Sequence, residues 1–120
     1  MGVAIQDFPI PATDAMDVTF VLDPTDGISL NGAAITWCVY TMADAVVDIS
    51  DGPIITKTSV ESEITITPSP EIFVVHMLPS DTQGLLGNYY HEARVLDFNG
   101  NPATVVKGVM TVTQVAISHL

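Results

Sequence analysis

Three histidines and one cysteine are the residues of this chain best suited to metal or nucleophilic chemistry, and their spacing argues against both. His76, His91 and His119 form no His-x-His or His-x3-His pair, whereas a zinc site needs three or four ligands converging on one point. Cys38 with His91 or His76 has the makings of a nucleophile pair. Cys38 lies mid-strand beside Trp37, however, and reads as a buried structural thiol. His91 reads as a hydrogen-bonded residue at the interior or rim of the fold. Asp97-x-Asn99-x-Asn101 has the carboxylate and amide spacing of a calcium loop, but such a loop wants glycine sixth and a distant glutamate, and Gly100 is fourth. The stretch reads as a hairpin turn. Asp44, Asp48 and Asp51 miss ligand spacing and read as a solubilising loop, and Glu61 and Glu63 face solvent on a β segment. There is no Gly-x-Ser-x-Gly, no phosphate loop and no Gly-x-Gly-x-x-Gly. The sequence therefore predicts no catalytic, cofactor-binding or metal-binding residue, and no enzyme.

The elements that would have to position such residues are strands. Val18, Phe20 and Leu22 alternate with Asp17, Thr19 and Val21, and Asp23 to Gly27 ends that run. After a turn at Asn31-Gly32, Ile35, Trp37 and Val39 form one face and Thr36, Cys38 and Tyr40 the other. A weaker segment around Val46 and Val47 closes at Asp51-Gly52-Pro53. Ile54 to Thr58 and Glu63 to Thr67 follow, then a rigid turn at Pro68-Ser69-Pro70. Glu71 to Leu78 is nearly continuously apolar, as a central strand covered on both faces would be. Pro79 to Gln83 predicts one short helical turn crossing between sheets. Leu85-x-Gly87-x-Tyr89 has the form of a tyrosine corner, which points Tyr89, His91, Ala93 and Val95 inward and Tyr90, Glu92 and Arg94 outward. Asp97 to Asn101 turns the chain into a long last strand, Thr104 to Val115, with Gly108 as a bulge.

Turns every 8–12 residues and no 3.6-residue period predict an all-β, immunoglobulin-like antiparallel β-sandwich of seven to nine strands. Its expected core is Ile35, Trp37, Val39, Ile64, Ile66, Val75, Tyr89, Val95, Met110 and Val112. Residues 1–15 read as an extended N-terminal arm and residues 16–120 as the single sandwich domain. Pro9 and Pro11 are expected to prevent a ladder through the arm. Val3, Ile5, Phe8 and Ile10 are the candidate anchors on a neighbouring subunit, the alternative being a strand packed on its own domain.

Composition narrows the partners. The chain has 120 residues, 48% of them hydrophobic, and a net charge of −11. That charge argues against a nucleic-acid backbone or an anionic membrane surface. One cysteine permits no intrachain disulfide, which fits a reducing cytosol. The N-terminus lacks a signal-peptide pattern, and no apolar run reaches the ~18 residues that span a bilayer.

The segment Gly87-Asn88-Tyr89-Tyr90-His91-Glu92 through Val112 resembles the closing part of small structural modules of tailed bacteriophages, related to the N-terminal domain of phage baseplate upper proteins and to head-associated proteins. The resemblance extends from about residue 17 to 115, with its specific part in the last third. It implies a virion structural protein without an active site: a capsid decoration or cement protein assembled in the host cytoplasm. Its partner would be the major capsid protein or a tail or baseplate protein. Alternatives are a tail or baseplate component and, in a different class, a carbohydrate- or cell-surface-binding module. A decorating subunit implies a homo-oligomer, a trimer on the particle that is weak or monomeric in dilute solution.

Overall fold

The computed structural model describes residues 4–22, 30–43, 46–48, 52–68 and 71–114. Ten strands run through them: β1 (Ala4–Ile5), β2 (Phe8–Pro11), β3 (Met16–Val21), β4 (Ala34–Ala43), β5 (Val46–Asp48), β6 (Ile55–Thr58), β7 (Ile64–Pro68), β8 (Glu71–Met77), β9 (Gly87–Leu96) and β10 (Pro102–Thr113). One sheet has the order β1-β10-β9-β4-β5, with β2 also on β10 and β6 also on β4; the other is β3-β8-β7. The protein is thus an all-β sandwich with the immunoglobulin-like strand plan: an early strand, β3, joins the pair β8-β7, while the fourth strand and the last hairpin share the opposite sheet.

Alternation decides what each sheet turns inward. Val18, Phe20, Ile35, Trp37, Val39, Ile64, Phe73, Val75, Ala93, Val95, Met110 and Val112 are buried in one cluster between the sheets. Each large apolar side chain placed there contributes about 1.5–3 kcal/mol. Ile66 and Tyr89 pack against this cluster only partly buried. The Tyr89 hydroxyl donates to the Leu86 carbonyl and accepts from the Leu86 amide, both at 3.2 Å, so the corner closes as the sequence predicts. A 3₁₀ turn at Pro79–Asp81 makes the crossing from β8 to β9.

Several expectations are corrected. β8 is central in its sheet, but its outward residues Ile72, Val74 and His76 are only half-buried, so one face alone is covered. Cys38 is half-buried and points outward, because period two places Trp37 inward and its neighbour on the opposite side. The irregularity of β10 falls between Thr104 and Val106, not at Gly108, which pairs regularly with His91. His119 and the turns at Asp23–Gly27 and Ser69-Pro70 lie outside the described residues, as do Val3, Asp44 and Asp51.

The largest difference concerns the N-terminus. Residues 4–11 are part of the sandwich: they run parallel to β10 in one register, Ala4 opposite Val106 and Phe8 opposite Met110. The edge is therefore mixed rather than antiparallel. The prolines do not prevent this ladder, and the reason is parity. The amides of Gln6 and Ala12 donate to Lys107 and Thr113 carbonyls at 2.9 Å, so even-numbered residues face β10. Pro9 and Pro11 are odd-numbered and turn their missing donors to the open edge, where a proline is tolerated. Ile10 is fully buried in the core of its own chain, which leaves it no surface for a neighbour, and the partly buried Phe8 packs against the same core. Ile5 remains 70% exposed.

Gly108 is needed for this edge. A Cβ there would stand 2.3 Å from the Gln6 carbonyl oxygen and 2.7 Å from the Asp7 carboxylate, inside any real contact. Gly108→Ala is expected to destabilise the fold by about 1–3 kcal/mol through overpacking. Hydrogen exchange should show lost protection at Gln6 and Ala12 well before β4 or β9; uniform loss across the sheets would contradict a local edge effect.

Lys57 gives a second test of the packing. Only 3% of it is exposed, and its ammonium meets Asp81 at 2.7 Å. Asp81→Ala leaves that charge buried and unpaired, a loss of about 3–5 kcal/mol in comparable sites, whereas Lys57→Met removes the buried charge. Denaturant melts should therefore rank Asp81→Ala as the more damaging change.

Candidate functional site

Two constellations of polar side chains emerge from the described residues, one buried and one open. The buried one begins on β4 and β9, the two central strands whose register sets Val39 opposite His91. The Trp37 indole Nε1–H donates to His91 Nδ1 at 3.1 Å, and His91 Nε2 meets the Gln6 carbonyl at 2.6 Å. Indole nitrogen only donates and a carbonyl only accepts. The imidazole must therefore be neutral, with its proton on Nε2 given to Gln6. Phe8 and Phe20 pack on the ring at 5.0 and 5.6 Å between centroids. Burial holds the His91 pKa below its ordinary value, while the Gln6 carbonyl and the Asp7 carboxylate pull weakly the other way. Asp7 also accepts the Val109 amide at 2.8 Å, filling the ladder position that Gln6 leaves as it turns inward.

Period two predicts an inward His91; its partners are not visible in the sequence, since Gln6 is 85 residues away. Alternation from Ile55 places Lys57 inward, and this is the signal in the sequence that marks it as a buried cation.

The open constellation crosses the outer face of the sheet β3-β8-β7. His76 Nδ1 meets the Asp17 carboxylate at 2.8 Å and Nε2 meets the Thr65 hydroxyl at 2.7 Å. Register brings them together, with Asp17 directly opposite His76 and Thr65 one diagonal step away. The order carboxylate, imidazole, hydroxyl is that of a nucleophile relay. Here the His76 side chain is 38% exposed and Asp17 64%. Solvent dielectric weakens such a relay and water competes for every partner. The arrangement stitches three strands together.

The turn at Asp97 shows the same economy of use. Its carboxylate accepts the Asn99 and Asn101 amides, both at 2.9 Å, and Gly100 takes φ 86° to close the loop. These bonds belong to the hairpin turn.

On the opposite outer face, Tyr40 and Tyr90 pair directly across β4 and β9 with ring centroids 6.2 Å apart. Burial and the nearby Glu92 raise both phenol pKa values, with Cys38 adding to Tyr40, so both stay neutral at physiological pH. Phe98 stands apart on the β9–β10 turn, 81% exposed and resting on Gly32.

With this geometry in hand, likeness to known proteins adds little. No protein-family model matches the sequence, and no curated protein does. Among solved structures, the first Ig-like domain of human CD48 antigen aligns over 98% of this chain and 88% of its own, at 15% identity and a TM-score of 0.38. Extracellular domains 3–5 of Drosophila OTK align over 92% of this chain, at 8% identity and a TM-score of 0.32; the match takes in 33% of the OTK chain. Both scores are low, and the immunoglobulin-like assignment rests on strand order and register.

The buried constellation makes a pH prediction. The folded chain binds the His91 proton more weakly than the unfolded chain, whose value is near 6.5. This contribution to stability is complete above the unfolded value and is lost as pH falls through the folded one. His91→Phe strands the Trp37 donor and the Gln6 acceptor, about 1–3 kcal/mol for each group left unsatisfied. Its stability should also fall less steeply than the parent's on acidification. Denaturant titrations across pH compare the two, and equal slopes for parent and His91→Phe would contradict the assignment.

Proposed function

We propose that this chain is a non-enzymatic structural subunit of a tailed-bacteriophage particle, a decoration or cement protein that docks on the major capsid protein, or else a tail or baseplate component. The observation that supports this reading is the resemblance of Gly87 to Val112, the segment that forms the β9–β10 hairpin. A non-catalytic role is supported by how the polar groups of the interior are used. His91 joins Trp37 to Gln6, and Lys57 holds Asp81. Both sets bind strands and turns to one another and leave their donors and acceptors occupied.

A second reading, a carbohydrate- or cell-surface-binding module, is favoured by the Tyr40–Tyr90 pair, since a sugar ring stacks on adjacent aromatic faces. Phe98 does not join that platform.

Mass spectrometry of purified particles from a lysate that produces the chain tests the first reading. The protein is expected in the particle at a copy number comparable to a capsid or tail subunit. Recovery from the soluble lysate alone, with none in particles, rejects the structural assignment. Binding of the free protein to host cells, abolished by Tyr40→Ala or Tyr90→Ala, then supports the second reading.

A further inference from the structure

We propose that the outer face of β10-β9-β4 is a self-contact surface, through which two copies of this chain pack about a twofold axis. The observation is an asymmetry of charge. The protein has three cationic side chains, Lys57, Arg94 and Lys107, against fourteen acids. Lys57 is buried against Asp81. The remaining two both emerge on this face: Arg94 is paired with Thr36 and Thr104, and Lys107 with Glu92, in the outward positions of their strands. Glu92 within the face and Asp7 beside it balance these two cations, so the patch is close to neutral on a chain of −11. Asp7 stands at its margin with its carboxylate on the Val109 amide.

The same face gathers apolar surface. Tyr40 and Tyr90 occupy its middle, and Val109 extends their row on β10 opposite Tyr90. Leu96, 48% exposed, follows Arg94 on the outward side of β9, and Ile5, 70% exposed, lies opposite Lys107. An apolar patch of this kind marks a contact surface. Among the described residues the rest of the surface is acidic, with Asp14, Asp17, Glu61 and Asp97 exposed or half-buried, so two copies meeting there set like charges together. Face to face, the tyrosines are covered, Arg94 and Lys107 of each copy can meet Glu92 of the other, and the acidic remainder points away. A twofold axis makes one patch complementary to itself.

The occupant is therefore a second copy, and the contact has a distinctive salt response. Each partner still carries −11 in total. Repulsion between the outward surfaces opposes the dimer at low ionic strength, and screening removes it. A contact made mainly of ion pairs would weaken with salt instead.

Sedimentation of the full chain tests this. The parent protein is expected to run as a monomer at low salt and as a dimer at about 1 M sodium chloride, where the Debye length is about 3 Å. Arg94→Glu makes the patch acidic at an exposed position and should weaken the dimer at least about tenfold, or 1.4 kcal/mol. Tyr90→Glu should abolish it with the circular dichroism unchanged. Thr19→Glu, on the outer face of the other sheet, should leave it intact. A monomer at every salt concentration, which would leave the face to a glycan or an unrelated protein, overturns the proposal. So does a trimer, or equal weakening by Thr19→Glu and Arg94→Glu. None of these outcomes depends on whether the chain is found in a phage particle.

Discussion

Two hydrogen bonds through one imidazole set the terms for this sandwich. Trp37 can only donate and the Gln6 carbonyl can only accept, so the ring between them must be neutral and must keep its proton on Nε2. The chain Trp37–His91–Gln6 joins the two central strands to the N-terminal edge and crosses the region where Phe8 and Phe20 pack. Without it a buried donor and a buried acceptor would be stranded together. Gly108 belongs to the same node, since the Gln6 backbone occupies the space a side chain there would fill. The fit is mutual: the strand can turn inward because residue 108 has no Cβ, and turning inward gives His91 its acceptor.

His91 also stands two residues after the corner tyrosine, where antibody-type domains carry the second cysteine of their inter-sheet disulfide. This chain has one cysteine, Cys38, and it faces outward. The place of a covalent bridge is taken by an aromatic cluster in which Phe20 reaches from the opposite sheet to both Trp37 and His91. Such a core keeps its cohesion in reducing surroundings, at the expense of a titratable group in its centre.

Charge is distributed with the same division between inside and outside. Of the three cations, one is used in the interior to hold the turn before β9, and two remain on a single face. Among the described residues the acids other than Glu92 populate the turns, the edges and the opposite side. A strongly anionic domain is discouraged from random association, and what association it retains is directed to the least anionic surface.

Periodicity and turn chemistry determined much of the fold. The alternation of Val18, Phe20 and Leu22, the Ile35-Trp37-Val39 face, the tyrosine corner and the Asp97–Asn101 turn depend on near neighbours in the chain, and strand side chains alternate whatever lies beyond. The inward aspect of His91 was legible for that reason. Its partners were not, because Gln6 and Trp37 stand 85 and 54 residues before it in the chain, and only packing brings a carbonyl and an indole to the two sides of one ring. The N-terminal prolines have an effect that the sequence does not reveal, because it depends on which neighbour the odd-numbered residues face. Gly108 likewise suggested a bulge, although its role is to admit a strand arriving from a hundred residues away. The union of Asp17, Thr65 and His76, and of Arg94 with Lys107 on one face, was again a matter of register between distant strands. Sequence thus determined which side of each strand faces inward, while tertiary structure decided what each side meets, since a strand's period is local and its neighbours are not.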